Sequence, residues 1–252
     1  MNEIKDLDIY PAYGREAQQS RPIKKFILRF VPLHTFKHLR TEIPLTLLRL
    51  KGGRVAKRYR HSDNLLVNVG PGGQAKPGWV NVDAWKGPLI DCLYDCRKSL
   101  PFPDASVRAI FCEHFFEHID YTEEAPYFLS ECHRVLKKDG VLRLILPDAE
   151  KYLRAYCKGG WEEFDRIRPL NPEHTDSYYL CKYNTRMELV NLIFRQGHDH
   201  KFAYDFETLS FLLYRYGFSE VVRQEYGTSL MPELCLDQLV RASESLYVDA
   251  KK

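Results

Sequence analysis

Two periodicities alternate along this chain. Short runs of β-branched and apolar residues bounded by Gly or Pro recur at 64–70 (NLLVNVG), 79–85 (WVNVDAW), 89–95 (LIDCLYD), 106–114 (SVRAIFCEH) and 140–148 (GVLRLILPD). Such runs suit strands covered on both faces. Between the last two lies DYTEEAPYFLSECHRVLKKDG, with Asp120 or Thr122 as N-cap and acids in its first turn. Its apolar groups fall at Phe128, Cys132 and Leu136, and Lys137, Lys138 and Gly140 mark its end, so it reads as a helix signalled at both termini. Strand, helix, strand in this order predicts a parallel pair with a right-handed crossover, the unit of a doubly wound α/β sheet. A helix over 206–216, stopped by Gly217, then leads to strand candidates in 218–227 and 245–250.

The flanks differ in texture. From Arg21 to Arg60 apolar groups recur at near-helical spacing (Phe26, Ile27, Phe30, Val31, Leu33, Phe36, Leu39), and Pro32 and Pro44 predict a break into short pieces. The pattern loosens again from Cys157 to Tyr204, apart from one helix near 186–195. Irregular stretches of that length are binding loops or peripheral excursions. The expected organisation is therefore a basic N-terminal arm or helical cap over 1–62 and a main domain over 63–252 with an insertion at about 157–204.

Charge sharpens this division. The net charge of +3 conceals 14 Lys/Arg against 5 Asp/Glu in residues 1–61, a balance of +9, and 23 against 29 in the remainder, a balance of −6. The main domain gains no support as a nucleic-acid binder, whereas residues 21–60 suit contact with anionic lipid, a partner protein or another subunit. No run is long enough to span a bilayer, the acidic N-terminus lacks the basic region of a signal peptide, and the seven cysteines form no CxxC pair. A cytoplasmic chain, peripheral to the membrane if the arm binds lipid, is the expectation.

Candidate chemistry begins where the first strand ends, at Val69, Gly70, Pro71, Gly72 and Gly73. Glycines there allow a ligand close to the backbone. Asp83, ending the second strand, suits both ribose hydroxyls of an adenosine, and Asp95, ending the third, suits the adenine amino group. Each aspartate equally suits a cap or a turn. Twelve residues separate Gly70 from Asp83, too few for a full crossover helix. The first helix should be vestigial or absent, which disfavours a dinucleotide, whose pyrophosphate needs a helix N-terminus.

The segments LVNVGPGG, WVNVD, SLPFPDASVRAIFCEHFFEH, ECHRVLKKDGVLRLILPD and GHDHKFAYDFETLSFLLYRYGF together resemble the class I S-adenosylmethionine-dependent methyltransferases. They are most similar to the type 11 group and its relatives among polysaccharide-biosynthesis proteins, over roughly 63–250. The resemblance implies a Rossmann-like, mostly parallel seven-stranded sheet, six strands running one way and one reversed. It also implies S-adenosylmethionine as cofactor, Gly70 and Gly72 along its methionine part, Asp83 on the ribose, and Asp95 with the Leu100–Phe102 turn around the adenine. Glu113 and His114 would lie beside the sulfonium and the acceptor. Oxygen of a sugar, glycan or other small metabolite is the acceptor that the analogy suggests, and His114, then His200, are the histidines nominated as its base.

Two other readings stand beside this one. A non-catalytic cofactor-binding scaffold, attached to membrane or glycan-assembly enzymes through the basic arm, would share the same residues. His114-Phe115-Phe116-Glu117-His118 is also a literal H-x-x-E-H, the inverted zinc-peptidase motif, although its start at a strand end argues for packing. The leading reading includes no metal.

Overall fold

The computed structural model describes residue 30 and residues 33–170, 175–176, 181–196 and 199–252. Strands β1 (Leu65–Val69), β2 (Val80–Asp83), β3 (Cys92–Leu93), β4 (Val107–Glu113), β5 (Leu136–Pro147), β6 (Glu220–Gln224) and β7 (Ser245–Lys251) form one sheet. Their order is β3-β2-β1-β4-β5-β7-β6. Neighbours pair in parallel except that β7 runs against both β5 and β6. This is a doubly wound, Rossmann-like arrangement with one reversed strand, as the sequence predicts. The reversal of order at β1 and β4 opens a crevice above the carboxyl ends of the strands, where such sheets bind ligands.

Helices α1 (Leu33–Tyr59), α2 (Ala125–Val135), α3 (Ala149–Lys158), α4 (Glu162–Ile167), α5 (Arg186–Arg195) and α6 (Phe206–Arg215) accompany the sheet. A two-residue ladder joins Thr175–Asp176 to Cys181–Lys182. None of the described helices is long and apolar enough to cross a membrane.

Three elements differ from the sequence expectation. α1 is one helix of 27 residues that runs through Pro44, whereas Pro32 and residues 1–29 lie outside the described residues. Proline here costs one backbone bond, to Arg40 on a solvent-exposed turn where water can replace it. The remaining turns are anchored on the sheet: Leu45 and Tyr59 are buried, Arg49 donates to Asp95 at 2.6 Å, and Glu42 takes Arg97 at 2.7 Å. α2 ends at Val135, five residues before Gly140, because Leu136 is already extended and enters β5. The Nζ of Lys252 donates to the carbonyls of His133 and Leu136, which serves the helix end in place of the predicted glycine cap.

α3 was not predicted. Its N-cap, Asp148, accepts from Glu150 N–H and Lys151 N–H, and Ala149, Tyr152 and Ala155 form its buried stripe. Tyr152 and Ala155 make a separate apolar cluster with Phe164, Tyr183, Leu189 and Ile193, so the aromatic residues of the loosely patterned stretch have their own core. Glu244 ties that cluster to the sheet, accepting Tyr152 Oη at 2.8 Å and Arg168 Nη1 at 2.7 Å.

The reversed half of the sheet depends on a buried cation. Arg143 on β5 is fully buried and lies in register with Asp249 on β7. It donates to Asp249 at 2.8 Å and, through Nε and Nη2, to both oxygens of Asp237 at 2.9 and 2.6 Å. Asp237 also receives Gly227 N–H, and Asp249 receives Leu230 N–H and Ser229 Oγ, so one guanidinium holds the loop 225–238 beneath the sheet. Arg143→Met leaves two carboxylates buried without a counter-charge and is expected to cost about 3–5 kcal/mol of stability. Urea unfolding checks this, and a loss below about 1 kcal/mol would show that the pair is dispensable.

Candidate functional site

The crevice begins where β1 stops. Gly70 has a φ of +63° and Gly72 a φ of +52°, backbone that glycine adopts at little cost. A Cβ on Gly70 would lie 2.5–2.8 Å from atoms of the Phe115 side chain, so steric contact and backbone geometry both require glycine there. No helix follows. The register partners Asn68 and Asn81 are both buried and joined at 2.9 Å. Asn81 Oδ1 accepts Lys76 N–H, its amide donates to the carbonyls of Lys76 and Trp79, and Asn68 donates to Gln74 O. These bonds satisfy the loop that a helix would otherwise occupy.

The loop delivers Gly72 N–H to Asp83 Oδ2 at 2.9 Å, and Trp85 N–H meets Oδ1 at 2.8 Å. Asp83 is 8% exposed. Each carboxylate oxygen keeps a lone pair for a ligand hydroxyl, so the two amides aim the group without exhausting it.

Asp95 is different. Oδ1 takes the backbone N–H and Nε of Arg97, and Oδ2 takes Arg97 Nη2 and Arg49 Nη1. Burial opposes its charge, but the Arg97 hydrogen bonds and the two guanidinium charges outweigh that and hold the carboxyl below its ordinary range. All four acceptor positions are used, and an adenine amino group would have to displace Arg49.

A cavity of about 1340 Å³ lies over this edge. Gly70, Gly72, Asp83, Asp95 and His114 line it, as do Glu42 and Arg49 of α1 on one side and His118, Asp199 and Lys201 on the other. Its volume exceeds the roughly 300–1,000 Å³ of ordinary single-ligand pockets, leaving room for two ligands side by side. Three nominated residues stand elsewhere. Glu113 turns away from the cavity and accepts both the backbone and side-chain N–H of Gln238 at 3.0 Å, because successive strand residues point to opposite faces. Phe102 is buried edge-on against Tyr59, centroids 5.1 Å apart. His200, 7% exposed, sits behind His118 rather than on the wall, and burial lowers its pKa.

His114 directly follows β4 with a φ of +52°, a conformation costly for a non-glycine residue. Its Nδ1 lies 3.0 Å from Glu117 Oε1 and its Nε2 3.1 Å from Ser245 Oγ. Glu117 is 2% exposed. Burial opposes its ionisation, yet the His114 hydrogen bond and the histidines around it bring its pKa down to about 2. The carboxylate–imidazole–hydroxyl order resembles a hydrolase triad, but Ser245 is buried and does not line the cavity. The H-x-x-E-H pair does not form either. His114 belongs to a strand end and His118 to a 3-10 turn over Phe116–His118, so the two rings lack the one-turn helical spacing the motif needs.

A family model described as Methyltransferase domain matches residues 83–144, the stretch from Asp83 through most of β5. A curated relative from Mycolicibacterium smegmatis, named a probable S-adenosylmethionine-dependent methyltransferase, is 34% identical over 88 residues. That match takes in 35% of this chain and 29% of the relative, so the chain spans under a third of the relative's length. Among solved structures, a SAM-dependent methyltransferase from Archaeoglobus fulgidus is 18% identical with a TM-score of 0.44, covering 81% of this chain and 94% of that one. The 1,6-didemethyltoxoflavin-N1-methyltransferase of Burkholderia thailandensis is 11% identical with a TM-score of 0.42, covering 96% and 90%. Likeness at this level transfers no substrate.

The two glycines of the loop separate strain from collision. Gly70→Ala and Gly72→Ala both force a left-handed backbone at about 1–2 kcal/mol, but only the first meets Phe115, since a Cβ on Gly72 would find nothing within 4 Å. Thermal unfolding is expected to show the larger loss for Gly70→Ala. Equal losses would mean that Phe115 moves aside freely.

Proposed function

We propose that this chain, which carries a class I S-adenosylmethionine-dependent methyltransferase domain, binds that cofactor across Gly70, Gly72 and Asp83 and passes its methyl group to a hydroxyl of a sugar or similar polar metabolite. The observation that carries this reading is the Asp83 carboxylate. Two backbone amides fix it at the carboxyl end of β2 with a lone pair left on each oxygen, the provision that adjacent ribose hydroxyls require. The helix-free link from β1 to β2 supports it further. It lacks the dipole that a pyrophosphate needs, and S-adenosylmethionine carries no phosphate.

When bound, S-adenosylmethionine would supply the methyl group to the acceptor oxygen. The sulfonium is already activated, so alignment and removal of the hydroxyl proton are what the protein supplies. His114 is our candidate base. Glu117 holds Nδ1, which leaves Nε2 as the basic nitrogen, and this nitrogen must leave Ser245 to reach an acceptor. Cavity walls rich in charged groups, among them Glu42, Arg97, Glu123 and Lys201, favour a hydrophilic acceptor over an apolar one.

A second reading concerns α1, the helical cap over the cavity. Leu39, Ile43, Leu47 and Leu50 are exposed along one face of α1, which continues into exposed Arg54 and Lys57. An apolar stripe ending in cations suits an anionic membrane surface. This supports peripheral attachment of the arm.

Titration calorimetry tests the cofactor site. Asp83→Ala is expected to weaken S-adenosylmethionine by on the order of 100-fold, from two hydrogen bonds to a charged group; unchanged affinity would overturn the assignment. For the arm, Leu47→Asp with Leu50→Asp should abolish co-sedimentation with vesicles containing phosphatidylserine. Sedimentation equal to that of the unaltered chain would remove the membrane role.

A further inference from the structure

Behind His118, three potential ligands converge in a way that methyl transfer does not explain. Glu117 and His118 close the turn after β4, and His200 ends the segment returning from α5. One ligand atom from each lies within 4.8 Å of the others. The two segments are stitched together by backbone, since Glu117 O accepts Lys201 N–H at 2.7 Å. The grouping therefore does not depend on side-chain rotamers alone.

The protons of this cluster can be placed from its partners. His118 Nδ1 lies 3.1 Å from Asp199 O, and His200 Nδ1 lies 2.5 Å from Ile193 O. A carbonyl only accepts, so each Nδ1 carries a hydrogen and Nε2 is the ring atom left to present a lone pair to a metal. Glu117 Oε1 is taken by His114, whereas Oε2 is buried and has no hydrogen-bond partner among the described residues. The unpartnered oxygen thus belongs to a residue whose ligand atom stands within 4.8 Å of one from each ring, and an unpaired buried acceptor costs about 1–3 kcal/mol.

We propose that Glu117, His118 and His200 bind a divalent first-row transition-metal ion of the zinc type. Two imidazole nitrogens with one carboxylate oxygen suit such an ion and disfavour magnesium or calcium, which take oxygen donors. Bond lengths of about 2.0–2.2 Å would bring the three atoms to roughly 3.3 Å apart, a side-chain adjustment of an ångström or two. The supporting shell is already built. Backbone carbonyls orient both rings, and the Ser245–His114 chain orients the carboxylate, the arrangement that fixes tautomers around bound metals.

The set differs from the H-x-x-E-H pairing, because His114 acts on Glu117 and is not a ligand. His118 lines the cavity beside Asp120 and Lys201, so a remaining coordination position would open toward the acceptor space. The metal site itself does not rest on the methyltransferase reading; a part in holding an acceptor oxygen does.

Metal-stripped, untagged full-length chain titrated with Co²⁺ provides the test. One equivalent is expected, with visible ligand-field absorption that Zn²⁺ displaces. His200→Ala and Glu117→Gln should each weaken Co²⁺ by at least about 100-fold, and His133→Ala should leave it unchanged. If His200→Ala fails to fold, His118→Ala, whose ring is on the cavity wall, must show the same loss. Absence of stoichiometric cobalt, or binding that survives both ligand substitutions, would overturn the site and leave a shared proton as the explanation. Calorimetry with S-adenosylmethionine on the metal-stripped chain keeps the questions separate: cofactor binding without cobalt binding refutes the metal alone, and cobalt binding without cofactor binding refutes the cofactor alone.

Discussion

Between Val69 and Val80 the chain has to turn, cross and re-enter the sheet with no helix to satisfy its backbone, and the buried pair Asn68 and Asn81 performs that task. The rest of the cavity edge depends on it. The loop so held presents Gly72 N–H to Asp83, and Asp83 in turn takes Trp85 N–H, so carboxylate direction, glycine conformation and loop shape form one hydrogen-bonded unit. A helix at this place would bring a positive dipole end toward the ligand. Its absence withholds that dipole from the cavity edge.

On the opposite side of the strand ends, charge is distributed with similar economy. Arg97 and Arg49 join Asp95 to Glu42 and so lock α1 against the sheet. Arg143 performs the corresponding service beneath the reversed strand. Both are cases in which a buried charge is tolerable because its partners saturate it. At the cluster of Glu117, His118 and His200, by contrast, one carboxylate oxygen is buried with no hydrogen-bond partner among the described residues.

Much of the fold was legible because each strand is short, apolar and punctuated. Five short apolar runs correspond to β1 through β5, and the crossover helix between β4 and β5 is marked at both ends. The end of α2 was misread because Lys137, Lys138 and Gly140 imitate a C-terminal cap while belonging to a strand. α3 escaped because Asp148, its N-cap, sits at the edge of the longest apolar run. In the cavity, Gly70, Gly72, Asp83, Asp95 and His114 stand together, since all follow directly from strand ends. Glu113 and Phe102 fall away because their orientation depends on which face of the chain packs inward. His200 was nominated for its place in an aromatic loop, and only the return path of that loop reveals that it stands behind His118.

Local rules were enough to determine the doubly wound sheet, the glycine turn, the lost first helix and the aspartate at the end of β2, because strand period, glycine backbone and residue count act within a dozen neighbours. Tertiary structure alone decided what the side chains do once there. The last acceptor position of Asp95 is filled by an arginine 46 residues away, and Arg143 pairs with an aspartate 106 residues away. Glu117 meets His200 across 83 positions of chain. Those pairings rest on chain segments brought together by burial of apolar surface, a non-directional force that leaves no spacing in the sequence from which to read them.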